Sequence, residues 1–247
     1  MKLPRTQRLI ARTAGLCLGM ATFALSTPVY ADVIVSYPLN WSGGNVVETS
    51  APAGSVHPDV TASDYNALGG TEISRSSQTH FIRVDSGDNA AKLATIADSI
   101  ANDMYGQFEV TVDPGMLLNL SSLEFGMQIT RGADTEFFTV HLRSSLDNYA
   151  SDIDTATLMG DSDVENVDGS ALFDLTDAAF QNLTDPIDFR LYMVTDIGSR
   201  TDGSNIVRIA SDVVLNGTVV PEPSAVALMG LGSLLVLGRR RRACDKA

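Results

Sequence analysis

The sequence contains very little cysteine, and both copies lie close to a chain end. Cys17 and Cys244 are the two cysteines among 247 residues. The body between them therefore has no disulfide, no thiolate nucleophile and no cysteine-based metal site. A domain without cross-links depends on its apolar core for stability, and 44% apolar residues are enough for one such core.

Basic residues are scarce in the same body. Eight of the 17 basic residues and 29 of the 30 acidic ones lie between Asp32 and Gly238, which gives this stretch a net charge of −21. Such a field repels phosphate backbones, so nucleic acid is not an expected partner. The acidic side chains are expected to form a solvated surface.

Aromatic residues make up only 6% of the chain, with a single tryptophan. Carbohydrate binding uses exposed aromatic rings as flat platforms for sugars. Trp41, in the polar turn 40–44, is the main candidate ligand-binding residue, and Tyr65 and Tyr149 are further candidates. A lone tryptophan near a first strand is also typical of a core or rim position.

The sequence lacks the signatures of serine hydrolases and zinc peptidases. There is no Gly-x-Ser-x-Gly elbow, and none of His57, His80 and His141 has a histidine partner four residues away. We therefore predict no catalytic residue and no enzyme. The alternative is a secreted glycan-active enzyme of sandwich fold, which needs two carboxylates across a cleft.

Residues 1–31 have the three parts of a secretory signal peptide. A basic n-region precedes an apolar h-region from about residue 16 to 25, and small residues before Ala31 suit a cleavage site. The apolar run is too short to span a bilayer permanently. This pattern predicts export by the Sec machinery and cleavage after Ala31.

The last segment, 220–247, combines three features in order. Pro221, Glu222 and Pro223 precede a short apolar helix at 225–237, and four arginines follow it. The apolar run falls short of the ~20 residues of a relaxed spanning helix. The arginine cluster would stay cytoplasmic, which leaves the body outside.

The two prolines are expected to keep Glu222 extended, unpaired and open to a protease. The sorting or processing residues in this segment are Pro221, Glu222, Pro223, Arg239, Arg240, Arg241 and Arg242.

This tail resembles the PEP-CTERM sorting signal of Gram-negative bacteria. The resemblance implies handling by an exosortase, a membrane cysteine transpeptidase or protease, with transient retention in the inner membrane through the apolar helix. It also implies the frequent association of such proteins with exopolysaccharide and biofilm export. The expected destination is the cell surface or the extracellular space.

The body, 32–219, shows period-two alternation in several stretches, as strands with one buried face do. Two short helical segments, 90–104 and 177–182, interrupt the strands. A shift of phase at Ser121–Ser122 predicts a bulge. Many short strands with few helices indicate an all-β fold, and we predict a jelly-roll-like β-sandwich. The predicted strands include 33–37, 80–85, 107–113, 123–129, 138–142, 187–193, 206–210 and 212–219.

The body also resembles a recurrent ectodomain of PEP-CTERM proteins. This resemblance implies a lectin-like sandwich and no particular ligand. It runs through 99–105, 108–112, 118–125, 142–147, 189–192 and 214–218.

An acidic cluster between 152 and 168 is the candidate metal site. Asp161, Asp163 and Glu165 are spaced like the first ligands of a calcium loop. The pattern then departs from an EF-hand, because Asn166 replaces the turn glycine and Leu172 the bidentate glutamate. A solvated acidic loop is the alternative to a Ca²⁺ site, and no other cofactor is expected.

The sequence thus predicts an exported, non-enzymatic surface or matrix protein. Its sandwich is expected to contact polysaccharide or further copies of itself. A structural coat component stabilised by calcium is another alternative.

Overall fold

The computed structural model describes residues 31–39, 47–69, 72–74, 79–83, 93–130, 137–161, 163–164, 166–195 and 206–222. These residues form mostly strands, with one short α-helix and two 3-10 helices. The strands are β1 (Asp32–Tyr37), β2 (Val47–Glu48), β3 (Ser50–Ala51), β4 (Ser55–Val56), β5 (Val60–Ala62), β6 (Tyr65–Ala67), β7 (Glu72–Ser74), β8 (Thr79–Arg83), β9 (Tyr105–Val112), β10 (Met116–Thr130), β11 (Phe137–Ser144), β12 (Asp154–Met159), β13 (Asn166–Asp174), β14 (Ile187–Thr195), β15 (Ile206–Ile209) and β16 (Val213–Pro221). The helices are α1 (Ile96–Ala101) and the 3-10 segments Ser145–Asp147 and Ala178–Phe180.

The strands form two antiparallel sheets. The nine-stranded sheet has the order β2-β7-β8-β15-β10-β16-β1-β4, with β13 also paired to β10. The seven-stranded sheet has the order β12-β11-β14-β9-β6-β3, with β5 also paired to β9. This architecture confirms the predicted all-β, jelly-roll-like sandwich with one or two short helices.

Aromatic rings join the inner faces of the two sheets. Tyr37 on β1 packs against Phe108 on β9 with ring centroids 5.0 Å apart, and Phe108 packs against Phe189 on β14 at 5.6 Å. All three side chains are fully buried. Because successive side chains of a strand point to opposite faces, these buried positions place Gln107, Glu109 and their neighbours on the outer face.

Strand β10 is the longest strand and carries the predicted bulge. Its register with β16 shifts between Leu120 and Ser122, as the change of phase in the sequence predicts. Strand β10 stays paired with β16 as far as Glu124 and pairs with β15 from Met127 onward, while β13 pairs along its other edge. Strand β10 thus pairs with three strands, and a bulge of this kind bends the strand that carries it.

The acidic segment 152–168 is not one solvated loop. Strands β12 and β13 begin at Asp154 and Asn166, so the loop interpretation was wrong for Asp154 and Asp168. Alternate side chains of both strands are exposed, and the apolar alternation that marks the central strands is therefore weak.

Helical turns occur in both predicted segments, and residues 90–92 of the first segment lie outside the described residues. Helix α1 occupies only six residues, and the Thr95 hydroxyl caps it by accepting a hydrogen bond from the Asp98 amide at 3.2 Å. In the second segment Asp177 caps a single 3-10 turn.

The two predicted targeting segments lie largely outside the described residues. Ala31 is the residue before β1, so the predicted cleavage would leave β1 whole. At the other end β16 continues through Pro221, which was expected to be unable to pair and instead lies opposite Met116. Within the part of the chain that the structure describes, none of the helices is long and apolar enough to cross a membrane.

Candidate functional site on the outer face of the seven-stranded sheet

The outer face of the seven-stranded sheet carries a row of polar side chains across its central strands. Arg143 on β11 lies opposite Arg190 on β14, and Arg190 lies opposite Gln107 on β9. Asn66 on β6 continues the row beside Gln107. Residues next to them on the same strands point inward and belong to the core, so packing in the core fixes the positions of the row.

Aromatic side chains outside the core collect on this face. Among the residues whose side chains are described, four aromatics lie outside the core cluster. Tyr105 and Tyr192 face each other across β9 and β14 with ring centroids 4.8 Å apart. Phe137 is on β11, and Tyr149 is in the loop after it.

Arg190 lies between two tyrosine rings. Its guanidinium carbon is 4.6 Å from the centre of the Tyr105 ring and 3.7 Å from that of Tyr149. Tyr105 is buried, whereas Tyr149 is half-buried, so the stack runs from the sheet towards solvent. Cation–π contacts of this kind stabilise a cation that burial would otherwise penalise.

The loop that carries Tyr149 has an unusual backbone. Asn148 and Tyr149 both have left-handed conformations, with φ of 58° and 59°. Asp147 stabilises the loop by accepting hydrogen bonds from the amides of Ala150 (3.2 Å) and Ser151 (3.0 Å). Non-glycine residues with positive φ persist only where surrounding contacts impose them, and they concentrate at functional sites.

Arg143 ties this loop to the sheet. Its Nη1 donates to the Tyr149 carbonyl at 2.9 Å, and its Nε donates to Asp152 Oδ1 at 2.6 Å. His141 Nδ1 contacts the other Asp152 oxygen at 2.8 Å. Burial raises the pKa of Asp152, but the hydrogen bonds with His141 and Arg143 outweigh it and leave that pKa below its ordinary value.

Asp188 is the carboxylate beneath the stack. Gln107 Nε2 donates to its Oδ2 at 2.6 Å, while Oδ1 is buried without a hydrogen-bond partner. Burial, with a smaller effect of the nearby Glu109 charge, raises the pKa of Asp188 despite the opposing effects of Gln107 and Tyr149. The same burial raises the pKa of Tyr149 to about 12. Arg190 Nε is also buried without a partner.

Asp188→Asn is expected to change the pH dependence of stability. Because the folded-state pKa of Asp188 lies above its unfolded-state value, the folded protein binds this proton more tightly. Its contribution to the free energy of unfolding therefore decreases as the pH rises from about 3.9 towards the raised value. Asparagine does not ionise, so the variant should gain stability relative to the wild type between about pH 3 and 7.

Urea unfolding across that pH range measures the difference, with Asp174→Asn as the matched control. Hydrogen bonds from Thr176 lower the pKa of Asp174. Its stabilising effect is present above the unfolded pKa and is lost as the pH falls, so this control should show the opposite trend. An Asp188→Asn curve parallel to that of the wild type would contradict the prediction.

Several of the predicted site residues lie outside the described residues, and their roles stay predictions. These are Trp41, Glu165, Pro223, Arg239, Arg240, Arg241 and Arg242. Of the other sugar-platform candidates, Tyr149 reaches the outer face, but Tyr65 was wrong because it is fully buried beside Tyr37 and Phe108.

Asp161 and Asp163 belong to one turn between β12 and β13. The Asp163 amide donates to Asp161 Oδ1 at 2.9 Å, which is the geometry of an Asx turn. Within the described ranges, no three His, Cys, Asp or Glu side chains form a group that could hold a metal ion. Calcium binding stays a prediction.

Sequence reasoning missed Gln107, Asp188 and Arg190. A signal was available, because each alternates with a core residue in a predicted strand and must face outward. That signal does not distinguish them from any other outward polar residue, since the sequence does not show which strands are neighbours.

Residues 219–242 match the model of the PEP-CTERM protein-sorting motif. The chain is thus a β-sandwich protein with a C-terminal sorting tail. It carries the PEP-CTERM motif, as the sequence resemblance predicted, and the motif marks an exported, surface-directed protein that is processed by an exosortase. The sequence matches none of the curated proteins.

Solved structures show only weak likeness to this chain. The Stig cyclase Fisc from Fischerella sp. TAU is 11% identical, with 79% of this chain and 92% of that chain covered and a TM-score of 0.29. A cleaved adhesin domain of Lys-gingipain from Porphyromonas gingivalis is 10% identical, with 71% and 98% covered and a TM-score of 0.28. The CBM22-1 xylan-binding domain from Paenibacillus barcinonensis Xyn10C is 8% identical, with 75% and 95% covered and a TM-score of 0.26. Likeness at this level carries no argument about ligands or activity.

Proposed function

We propose that this exported protein is non-enzymatic and binds extracellular polysaccharide through the outer face of its seven-stranded sheet. One observation carries the proposal. Every described aromatic side chain outside the core lies on this face, beside the polar row of Arg143, Arg190, Gln107 and Asn66. Flat rings next to hydrogen-bonding groups are the combination that a polyhydroxylated ring requires.

Tyr149 is the platform that a sugar would meet first. It is the more exposed end of the stack, and Arg190 occupies one side of its ring. The loop contacts of Asp147 and Arg143 hold the ring in place before any ligand arrives. A pre-ordered ring loses little conformational entropy on binding, which favours affinity.

The polar groups of the face suit hydroxyl recognition. Asp188 Oδ1 and Arg190 Nε are both buried without a hydrogen-bond partner within ordinary distance, although the Tyr149 side chain also interacts with the Asp188 carboxylate. A sugar hydroxyl both donates and accepts, so hydroxyls can match either atom. Both atoms are buried in this structure, so a hydroxyl would reach them through small side-chain rotations that leave the ordered Tyr149 loop in place.

Tyr149→Asn is the variant that tests the platform. Asparagine tolerates the left-handed backbone and removes the ring, so the loop conformation should survive. Affinity electrophoresis of the exported protein through gels containing host exopolysaccharide should show binding weakened at least about tenfold, the equivalent of ~1.4 kcal/mol.

Two controls separate ring loss from a general effect. Tyr149→Phe keeps the ring and should retain most of the affinity. Leu172→Ala alters an exposed side chain on the nine-stranded sheet and should leave binding unchanged. Equal mobility of Tyr149→Asn and the wild type, or no retardation of the wild type by any polysaccharide, would contradict the proposal.

A glycan-active enzyme is the second candidate, favoured by one observation. Glu109 lies directly opposite Asp188 across β9 and β14, and Asp188 has the raised pKa expected of a general acid. New reducing ends released from the same polysaccharides, and lost in Glu109→Gln, would favour the enzyme over the binding protein.

A further inference from the structure

The sorting motif and the last strand of the sandwich overlap. The motif begins at residue 219, whereas β16 ends only at Pro221. Val219 and Pro221 lie opposite Leu118 and Met116 of β10. One residue further on, the Glu222 amide donates to the Gly115 carbonyl at 2.9 Å. The first four residues of the motif are therefore part of the folded body.

Side-chain packing adds to this backbone pairing. Val219 is a partly buried side chain that packs against the core cluster. Strand β1 pairs with β16 only as far as Gly217, and beyond that residue β10 is the partner of β16 among the described strands. The end of the strand is thus attached along one edge, through its backbone and through Val219.

A protease that binds its substrate as an extended chain needs the same backbone groups. Peptides bound in extended form are recognised through main-chain hydrogen bonds. In residues 219–222 β10 and Gly115 already engage part of that main chain. A cut within these residues would first require the strand end to separate from β10.

We infer that the folded body shields residues 219–222 and that the tail is cut C-terminal to Glu222. The mature protein then keeps β16 whole, just as cleavage after Ala31 would keep β1 whole. In the cut, water or another nucleophile attacks the carbonyl carbon of the peptide bond, and the bond between that carbon and the nitrogen breaks. The released amine takes the proton that the nucleophile loses.

Intact mass and C-terminal peptide analysis of the protein from exosortase-containing cells tests the position of the cut. The expected C-terminal peptide contains Val219 to Glu222 complete. A mature C-terminus at Pro221 or earlier would overturn the inference.

Gly217→Ala tests whether pairing is the cause. A Cβ at this position would overlap the Asn119 carbonyl oxygen on β10, so the two strands must separate locally. The variant is expected to give additional products that end within residues 219–222. Gly106→Ala is the matched control, because it disturbs β9 in the other sheet and should give the wild-type product alone.

Hydrogen exchange covers the case in which Gly217→Ala does not accumulate. In the full-length wild type the Glu222 amide is expected to exchange slowly, since it is bonded to Gly115. Fast exchange of this amide, or an unchanged product set in a folded Gly217→Ala protein, would show that the fold does not shield the motif.

Discussion

Phe108→Ala is expected to lower the free energy of unfolding by about 3–5 kcal/mol. The ring is fully buried and packs against Tyr37 of one sheet and Phe189 of the other. Alanine would lose these contacts and leave a cavity that surrounding strands cannot close without breaking their pairing. The melting temperature should decrease by roughly 10 °C or more.

Urea unfolding followed by circular dichroism measures this loss. Leu172→Ala removes a side chain that is 66% exposed and should change stability by no more than about 0.5 kcal/mol. If Phe108→Ala cost as little as this control, Phe108 would not join the two sheets as described.

Gly106→Ala is expected to be destabilising by about 3 kcal/mol, although it adds a single methyl group. Gly106 lies on β9 beneath the ring of Tyr65, and a Cβ there would overlap the tyrosine hydroxyl and the adjoining ring carbon. Tyr65 is fully buried and packs against Tyr37 and Phe108, so it has no free space to enter.

A double-mutant cycle with Tyr65→Phe tests this explanation. Removing the hydroxyl relieves the worst of the overlap, so the double variant should be more stable than the sum of the two single changes predicts. Tyr65→Phe alone is expected to cost about 1 kcal/mol through the loss of its hydroxyl contacts. Additive effects would show that Gly106 and Tyr65 are not in conflict, and that another neighbour restricts Gly106.

The central strands were predictable because one face is buried and the other is exposed, which gives alternating apolar and polar residues in the sequence. Phe108, Val110 and Val112 alternate with polar residues, since one side of β9 lies in the core and the other faces outward. The bulge in β10 was predictable for the same reason, because a bulge shifts the phase of the alternation. Edge strands such as β12 have little buried surface, so the sequence carries no such mark for them.

The candidate site was predictable only in part. Tyr149 could be named as a sugar platform from its residue type alone. The position of Tyr149 over Arg190 could not be predicted, because it depends on the left-handed loop at 148–149 and on the register of β14 with β11. Tyr65 was equally plausible as a platform by type, and burial alone excluded it.

The amino-acid sequence by itself determined that the chain has an acidic all-β body and a sorting tail, and it predicts a signal peptide before them. Composition and local alternation carry this information, because each depends on residues that are adjacent or nearly adjacent. Only the tertiary structure decided which strands are neighbours, where Arg190 lies between its tyrosines, and that the sorting motif begins inside β16. The physical reason is that strand pairing joins backbone groups of residues distant in sequence, and no local pattern specifies their partners.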